Sequence, residues 1–210
     1  MATQLTFVLG RSGTGKSTSL RNFKATDSIG YMTATGKPLP FKNDIPQFHA
    51  KNYADLFAAI DQSKSDIVVI DDFNMLMSYE EFSQATVKGY EKFTVMAVNV
   101  VRVIEQITKK ESNQRFYILA HSENSEDGVL RLKTTGQMVS QKFVPEALTN
   151  QVVETAMIDG DFVFKVKTDG MGVKTPMGMF DTETIPNDLK MLDQALVEFY
   201  KPVTNNKESK

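Results

Sequence analysis

Residues 10–17 of this chain read Gly10-Arg11-Ser12-Gly13-Thr14-Gly15-Lys16-Ser17, a full match to G-x-x-x-x-G-K-[ST]. The pattern restricts the fold because it has chemical meaning only where a buried strand turns sharply into a helix. Both flanks fit. Leu5-Thr6-Phe7-Val8-Leu9 is a short apolar run of the kind buried on both faces of a parallel sheet. Residues 17–23 begin with hydroxyls and can open a helix. In that frame the glycines let backbone N–H groups converge on an anion, Lys16 bridges β- and γ-phosphates, and the Ser17 hydroxyl reaches Mg²⁺. A glycine turn without a ligand is the bland alternative, and the strand–loop–helix context disfavours it. Gly10 to Ser17, with Thr18 next in line, are therefore expected to hold a nucleoside triphosphate, ATP in preference to GTP.

The rest of the chain supplies a partner for that loop. Ile67-Val68-Val69-Ile70-Asp71-Asp72 is four apolar residues ending in acid. A buried parallel strand would set its last carboxylate at the same sheet edge as the loop. Asp71 is then expected to hold Mg²⁺ through its water shell, alongside Ser17. Asp72 is placed to orient or deprotonate an attacking water. An apolar strand that merely ends in Asp is common, so this motif gains its meaning from the loop. A further apolar run at residues 116–120 ends at His121, a candidate to touch the γ-phosphate and report hydrolysis. A strand-end histidine with a purely structural bond is the competing reading. Asn74 is a weaker candidate, and His49 reads as structural.

Alternation of strands and helices runs through the first two-thirds, the pattern of a helix-covered parallel sheet. Strands are expected at residues 29–33, 67–71 and 116–120, a helix at 53–60, and a long helical stretch over 80–109 with a break or bend at Gly89. Later, residues 129–133 alternate like an exposed strand. Residues 152–158 and 161–166 flank Asp159-Gly160 as an antiparallel hairpin, and 187–200 close with a helix. The chain reads as one domain over 1–202 with a disordered tail at 203–210.

Composition excludes several classes. A net charge of −2 rules out a strongly basic protein, so nucleic-acid contact would need a local patch. With no cysteine and two histidines, disulfides and thiolate metal sites are absent and a zinc site is disfavoured. No apolar run is long enough to span a membrane and no signal-peptide pattern precedes the first strand, which implies a cytoplasmic location. There is no transporter-type signature between the two acidic and glycine-rich elements and no DEAD-like box. The lone Asn206-Lys207 pair falls in the tail, which argues against a GTPase.

Taken together, Gly10 to Ser17, residues 68–73 (VVIDDF), residues 119–123 (LAHSE), residues 175–180 (TPMGMF) and 185–189 (IPNDL) resemble the phage-encoded P-loop nucleotide-binding proteins. That group includes RecA-like single-strand annealing ATPases of the Sak type. The likeness runs from about Leu5 to Tyr200, and GKPLPF at 36–41 fits a phage subgroup. The resemblance implies a RecA-like P-loop NTPase core: a mainly parallel sheet flanked by helices, with the antiparallel hairpin at the C-terminal side. It implies an ATP- and Mg²⁺-dependent protein acting on single-stranded DNA in phage recombination or replication, in the host cytoplasm. It further implies side-by-side homo-oligomers and contacts with phage recombination or replication proteins. Lys16, Asp72 and His121 would carry the catalytic roles.

One departure from the resemblance matters. The RecA-type catalytic glutamate after the second strand is replaced here by Thr33-Ala34-Thr35. Either Asp72 takes that role, or hydrolysis is slow and nucleotide binding acts as a switch. Loops at 124–141 and 168–179 are the DNA-facing candidates, with Arg131, Lys133, Lys142, Lys167 and Lys174 available to phosphates. Solvated loops are the plainer reading of each single lysine. Lys174 could instead reach a neighbour's γ-phosphate. Two other functions stay open: a small-molecule (nucleotide) kinase, although the five arginines form no lid-like cluster, and a non-hydrolysing nucleotide-gated partner in a replication complex.

Overall fold

The computed structural model describes residues 3–86, 89, 91–134, 144–149 and 151–201. Among them run nine strands: β1 (Gln4–Gly10), β2 (Ile29–Thr33), β3 (Gln47–His49), β4 (Ile67–Asp71), β5 (Arg115–Asn124), β6 (Leu130–Leu132), β7 (Gln151–Ile158), β8 (Asp161–Lys165) and β9 (Thr184–Pro186). They form a sheet in the order β3-β2-β4-β5-β1-β7-β8-β9, with β6 paired to β5. From β3 to β7 every neighbour is parallel; β6, β8 and β9 pair antiparallel. Four helices accompany the sheet: α1 (Tyr53–Gln62), α2 (Phe73–Ser83), α3 (Glu91–Thr108) and α4 (Leu189–Phe199). The architecture is α/β, compatible with a Rossmann- or RecA-like core.

Period-two alternation sorts the central strands into two cores. Phe7, Leu9, Val68, Ile70, Phe116 and Ile118 pack with Leu56 and Ile60 of α1, Phe73 and Leu76 of α2, and Val103 and Ile107 of α3. Val8, Val69, Tyr117, Leu119 and Val153 face the other way, onto Leu20, Phe23, and Leu189 and Leu192 of α4. Strands buried on both faces must be apolar at every position, which is why β4 and the inner half of β5 read as unbroken runs. Each fully buried Phe, Leu, Ile or Val contributes roughly 1.5–3 kcal/mol. On the second face Asp193 of α4 takes a bidentate pair from Arg115 (2.5 and 3.1 Å) and a hydrogen bond from the Tyr117 hydroxyl (2.7 Å), pinning α4 to the start of β5.

The structure departs from the sequence expectations in three places. The helix expected after the 10–17 loop is only a 3₁₀ turn, Ser17–Leu20, followed by a second short 3₁₀ turn at Ala25–Asp27. Its hydroxyls explain this: Ser19 Oγ donates to Lys16 O at 2.5 Å, so a side chain competes for backbone partners that an α-helix would use. The helical stretch breaks around Gly89 (φ 103°) as expected, but its first helix, α2, starts at Phe73 and not at residue 80. β3 and β9, three residues each, carry no pattern of their own. The Asp159-Gly160 hairpin is present, both turn residues having positive φ (52° and 90°) as a tight two-residue connection requires. Among the described residues no helix is long and apolar enough to cross a membrane. Residues 203–210 and Lys142 lie outside the described residues.

Candidate functional site

The parallel strands β1 and β4 end at one edge of the sheet, which β5 crosses at His121, and their register fixes what meets there. Gly10 pairs with His121 across β1 and β5, and β5 runs between β1 and β4. β5, which carries His121, therefore lies between β1, which leads into the 10–17 loop, and the acidic end of β4. Gly10 itself admits no side chain: a Cβ there would overlap the Thr155 hydroxyl of β7. Gly13 and Gly15 turn the loop with φ of 80° and 91°. Thr14 Oγ1 and Thr155 Oγ1 are 2.6 Å apart, which fastens the loop to β7.

Lys16 is folded back across its own loop. Its ammonium donates to the carbonyls of Gly10 and Arg11, each at 2.8 Å, and stands 3.5 Å from His121 Nδ1. An ammonium has three donors, and two of them are taken by these carbonyls while the ring of His121 stands beside the ammonium. Burial lowers the Lys16 pKa, opposed by Asp71 and Asp72. Burial also lowers that of His121, reinforced by the Lys16 charge. Both groups thus compete for solvation in one recess.

At the next residue the Ser17 hydroxyl donates to Asp71 Oδ2 at 2.6 Å, joining the 3₁₀ turn to the end of β4. The Tyr31 hydroxyl adds a second bond to the same oxygen at 2.8 Å, and the Asp72 N–H donates to Oδ1 at 2.8 Å. Burial pushes the Asp71 carboxyl up; the bond from Ser17 pulls down, the charge of Asp72 pushes up, and the bonds from Tyr31 and the Asp72 N–H pull down. A buried carboxylate beside a hydroxyl matches the chemistry of a hard cation that keeps most of its water. Among the described residues no three His, Cys, Asp or Glu side chains gather as a metal cluster. A Mg²⁺ ion here would take Ser17 and Asp71 from the protein and its remaining ligands from water and phosphate.

Asp72 caps α2 from a left-handed backbone conformation, φ 56° and ψ 34°. Non-glycine residues in that region are uncommon, and aspartate is among the few that tolerate it. The bend carries its carboxylate away from Asp71 to accept from Thr35 Oγ1 at 2.6 Å. Thr33, Ala34 and Thr35 sit at the end of β2 without a carboxylate of their own.

Sequence reasoning thus placed Gly10 to Thr18, Asp71, Asp72 and His121 on one edge, and the structure brings them together there. It did not find Tyr31, Thr35 or Thr155, whose contacts to the site span 40, 37 and 141 residues of chain and leave no local pattern. Asn74 is committed elsewhere. Its Oδ1 accepts from the His121 N–H and its Nδ2 donates to Lys133 O, so it clamps β5 to the segment after β6. His49 bonds the Ala34 carbonyl region at 3.1 Å, a structural position as expected. Lys174 is tied to Val152 by two backbone bonds, and its side chain shares a cavity of about 360 Å³ with Glu146. Burial lowers its pKa. No protein-family model and no curated protein matches this chain.

Proposed function

We propose that this protein binds ATP with Mg²⁺ at the 10–18 loop and hydrolyses it while acting on single-stranded DNA in phage recombination or replication, as a homo-oligomer. The observation that carries the nucleotide reading is the 2.6 Å bond between Ser17 Oγ and Asp71 Oδ2, with Lys16 poised over the same recess. A loop matching G-x-x-x-x-G-K-[ST] beside a buried strand-end carboxylate is the arrangement that triphosphate and Mg²⁺ require. The DNA and phage parts of the reading rest on the sequence resemblance.

In this reading Lys16 turns its remaining donor to a β- or γ-phosphate oxygen, which frees the imidazole to meet the γ-phosphate. Mg²⁺ would neutralise developing charge on the β- and γ-oxygens when bound at Ser17 and Asp71. Asp72 accepts a proton from the water that attacks the γ-phosphorus; the bond to the β-bridging oxygen breaks, releasing ADP and phosphate. The absence of a carboxylate at Thr33-Ala34-Thr35, and the engagement of Asp72 by Thr35, favour a second reading in which turnover is slow and ATP binding itself is the switch.

ATP turnover by purified protein, with and without single-stranded DNA and beside Lys16→Ala, tests this. Turnover that rises with DNA and is lost in the variant supports the first reading. Tight ATP binding without turnover supports the switch. Transfer of the γ-phosphate to a nucleoside monophosphate would instead make the protein a kinase.

A further inference from the structure

A cavity of about 570 Å³ lies beside the loop, and its wall includes Thr18, Arg21, Asp161, Phe162, Thr184 and Pro186. The volume falls within roughly the 300–1,000 Å³ of small-molecule sites. Loop and cavity share a wall. A Cβ on Gly15 would lie 3.1 Å from the Phe162 ring and 3.2 Å from Asn187 Oδ1, so the ring and the amide rest directly on the loop backbone. The Asn187 N–H donates to Phe162 O at 3.2 Å, and Arg21 Nη1 donates to the carbonyls of Asn187 and, at 3.3 Å, Thr18. Phe162, Arg21 and Asn187 therefore form one braced unit against residues 15–18.

One feature of the cavity wall, Phe162, points to a ligand, and an unpaired amide lies behind the wall against Gly15. Asn187 is completely buried, yet neither its Oδ1 nor its Nδ2 has a hydrogen-bond partner. Phe162 keeps 39% of its surface exposed at the base of a tight hairpin turn, although it is a large apolar ring. The direction of a triphosphate on this loop is set by chemistry already described. Lys16, Asp71 and His121 mark the β/γ end, and loop N–H groups toward Thr18 take the α end. The nucleoside must leave from the Thr18 end, and the cavity begins there.

Resting on the nucleotide reading above, we infer that this cavity is the seat of the nucleobase and ribose, with Phe162 as the stacking platform for the base. The Arg21 guanidinium is fixed at the mouth beside the α-phosphate end. The Asp161 carboxylate and Thr184 hydroxyl offer acceptors at the wall for base amino or ribose hydroxyl groups. Stacking on an aromatic ring tolerates any base and favours the larger purines.

The chain contains no tryptophan, so Phe162→Trp creates a single fluorescent reporter. With the full chain and Mg²⁺, ATP is expected to quench that tryptophan while inorganic tripolyphosphate binds without quenching. Phe162→Ala should weaken ATP by about five- to a hundredfold and leave tripolyphosphate affinity unchanged. Unchanged ATP affinity in Phe162→Ala, equal losses for both ligands, or quenching by tripolyphosphate alone would overturn the seat while leaving the phosphate-binding loop intact. If the unmodified protein binds neither ATP nor tripolyphosphate, the nucleotide reading itself fails and the seat falls with it.

Discussion

Lys16 Nζ stands 3.5 Å from His121 Nδ1, so a cation from the loop that follows β1 and an imidazole from the adjacent strand β5 share one recess. Burial lowers the His121 pKa, and the charge of the ammonium adds to that effect. Replacing Lys16 with Met should therefore move the His121 titration to higher pH, as followed by the imidazole proton resonances. A titration that stays put would mean that burial alone sets it. The same variant should lose ATP affinity, since the cation is the loop's main charge toward phosphate.

The depressed His121 pKa has a consequence for folding. An unfolded histidine titrates near 6.5, so between the folded value and about 6.5 the unfolded chain binds more protons. Stability must then fall as pH drops below about 6.5, with the full loss reached below the folded pKa. In His121→Gln this contribution disappears. Urea unfolding at several pH values from 5 to 7 should show a flatter profile for the variant; parallel profiles would remove His121 from the account.

Asp71 has the opposite sign. Its raised pKa means that it favours the fold when protonated, a benefit lost as pH rises through the folded value. Above that folded value the buried charge is a burden without a cation. Asp71→Asn is expected to leave the ligand-free protein as stable or more stable, by about 1 kcal/mol. It should also abolish the extra thermal stabilisation that Mg²⁺ adds to ATP. A variant that is less stable without ligand yet still responds to Mg²⁺ would contradict both the burial argument and the metal assignment.

Far from the site, Asp193→Ala should be among the more damaging single changes. It strands the partly buried Arg115 guanidinium and the fully buried Tyr117 hydroxyl without their shared acceptor. Breaking such a pair costs about 3–5 kcal/mol. Urea denaturation would report the loss, with ATP affinity per folded molecule unchanged because Asp193 does not touch the loop.

What could be read before the structure follows from locality. β1, β4 and β5 were legible because strands buried on both faces must be apolar throughout, and the loop and acidic pair punctuate their ends. The turn after Lys16 was not. Hydroxyls at residues 17–19 suit a helix start as well as a 3₁₀ turn, and only the Ser19 bond to Lys16 O decides between them. Tyr31 looked like one more strand residue, because its bond to Asp71 exists only once β2 lies against β4. Asn187 and Phe162 lie about 150 residues or more beyond the loop they brace, and the IPND segment reveals nothing of that contact on its own.

β5 does not stop at the sheet edge where His121 sits. It continues as one strand to Asn124 and there pairs with β6. Ten residues of unbroken strand make a rod of about 33 Å, stiffened at its outer end by a second strand and clamped at His121 by Asn74. The turn at residues 125–129 therefore lies at the end of the same unbroken strand as His121, about 10 Å beyond it.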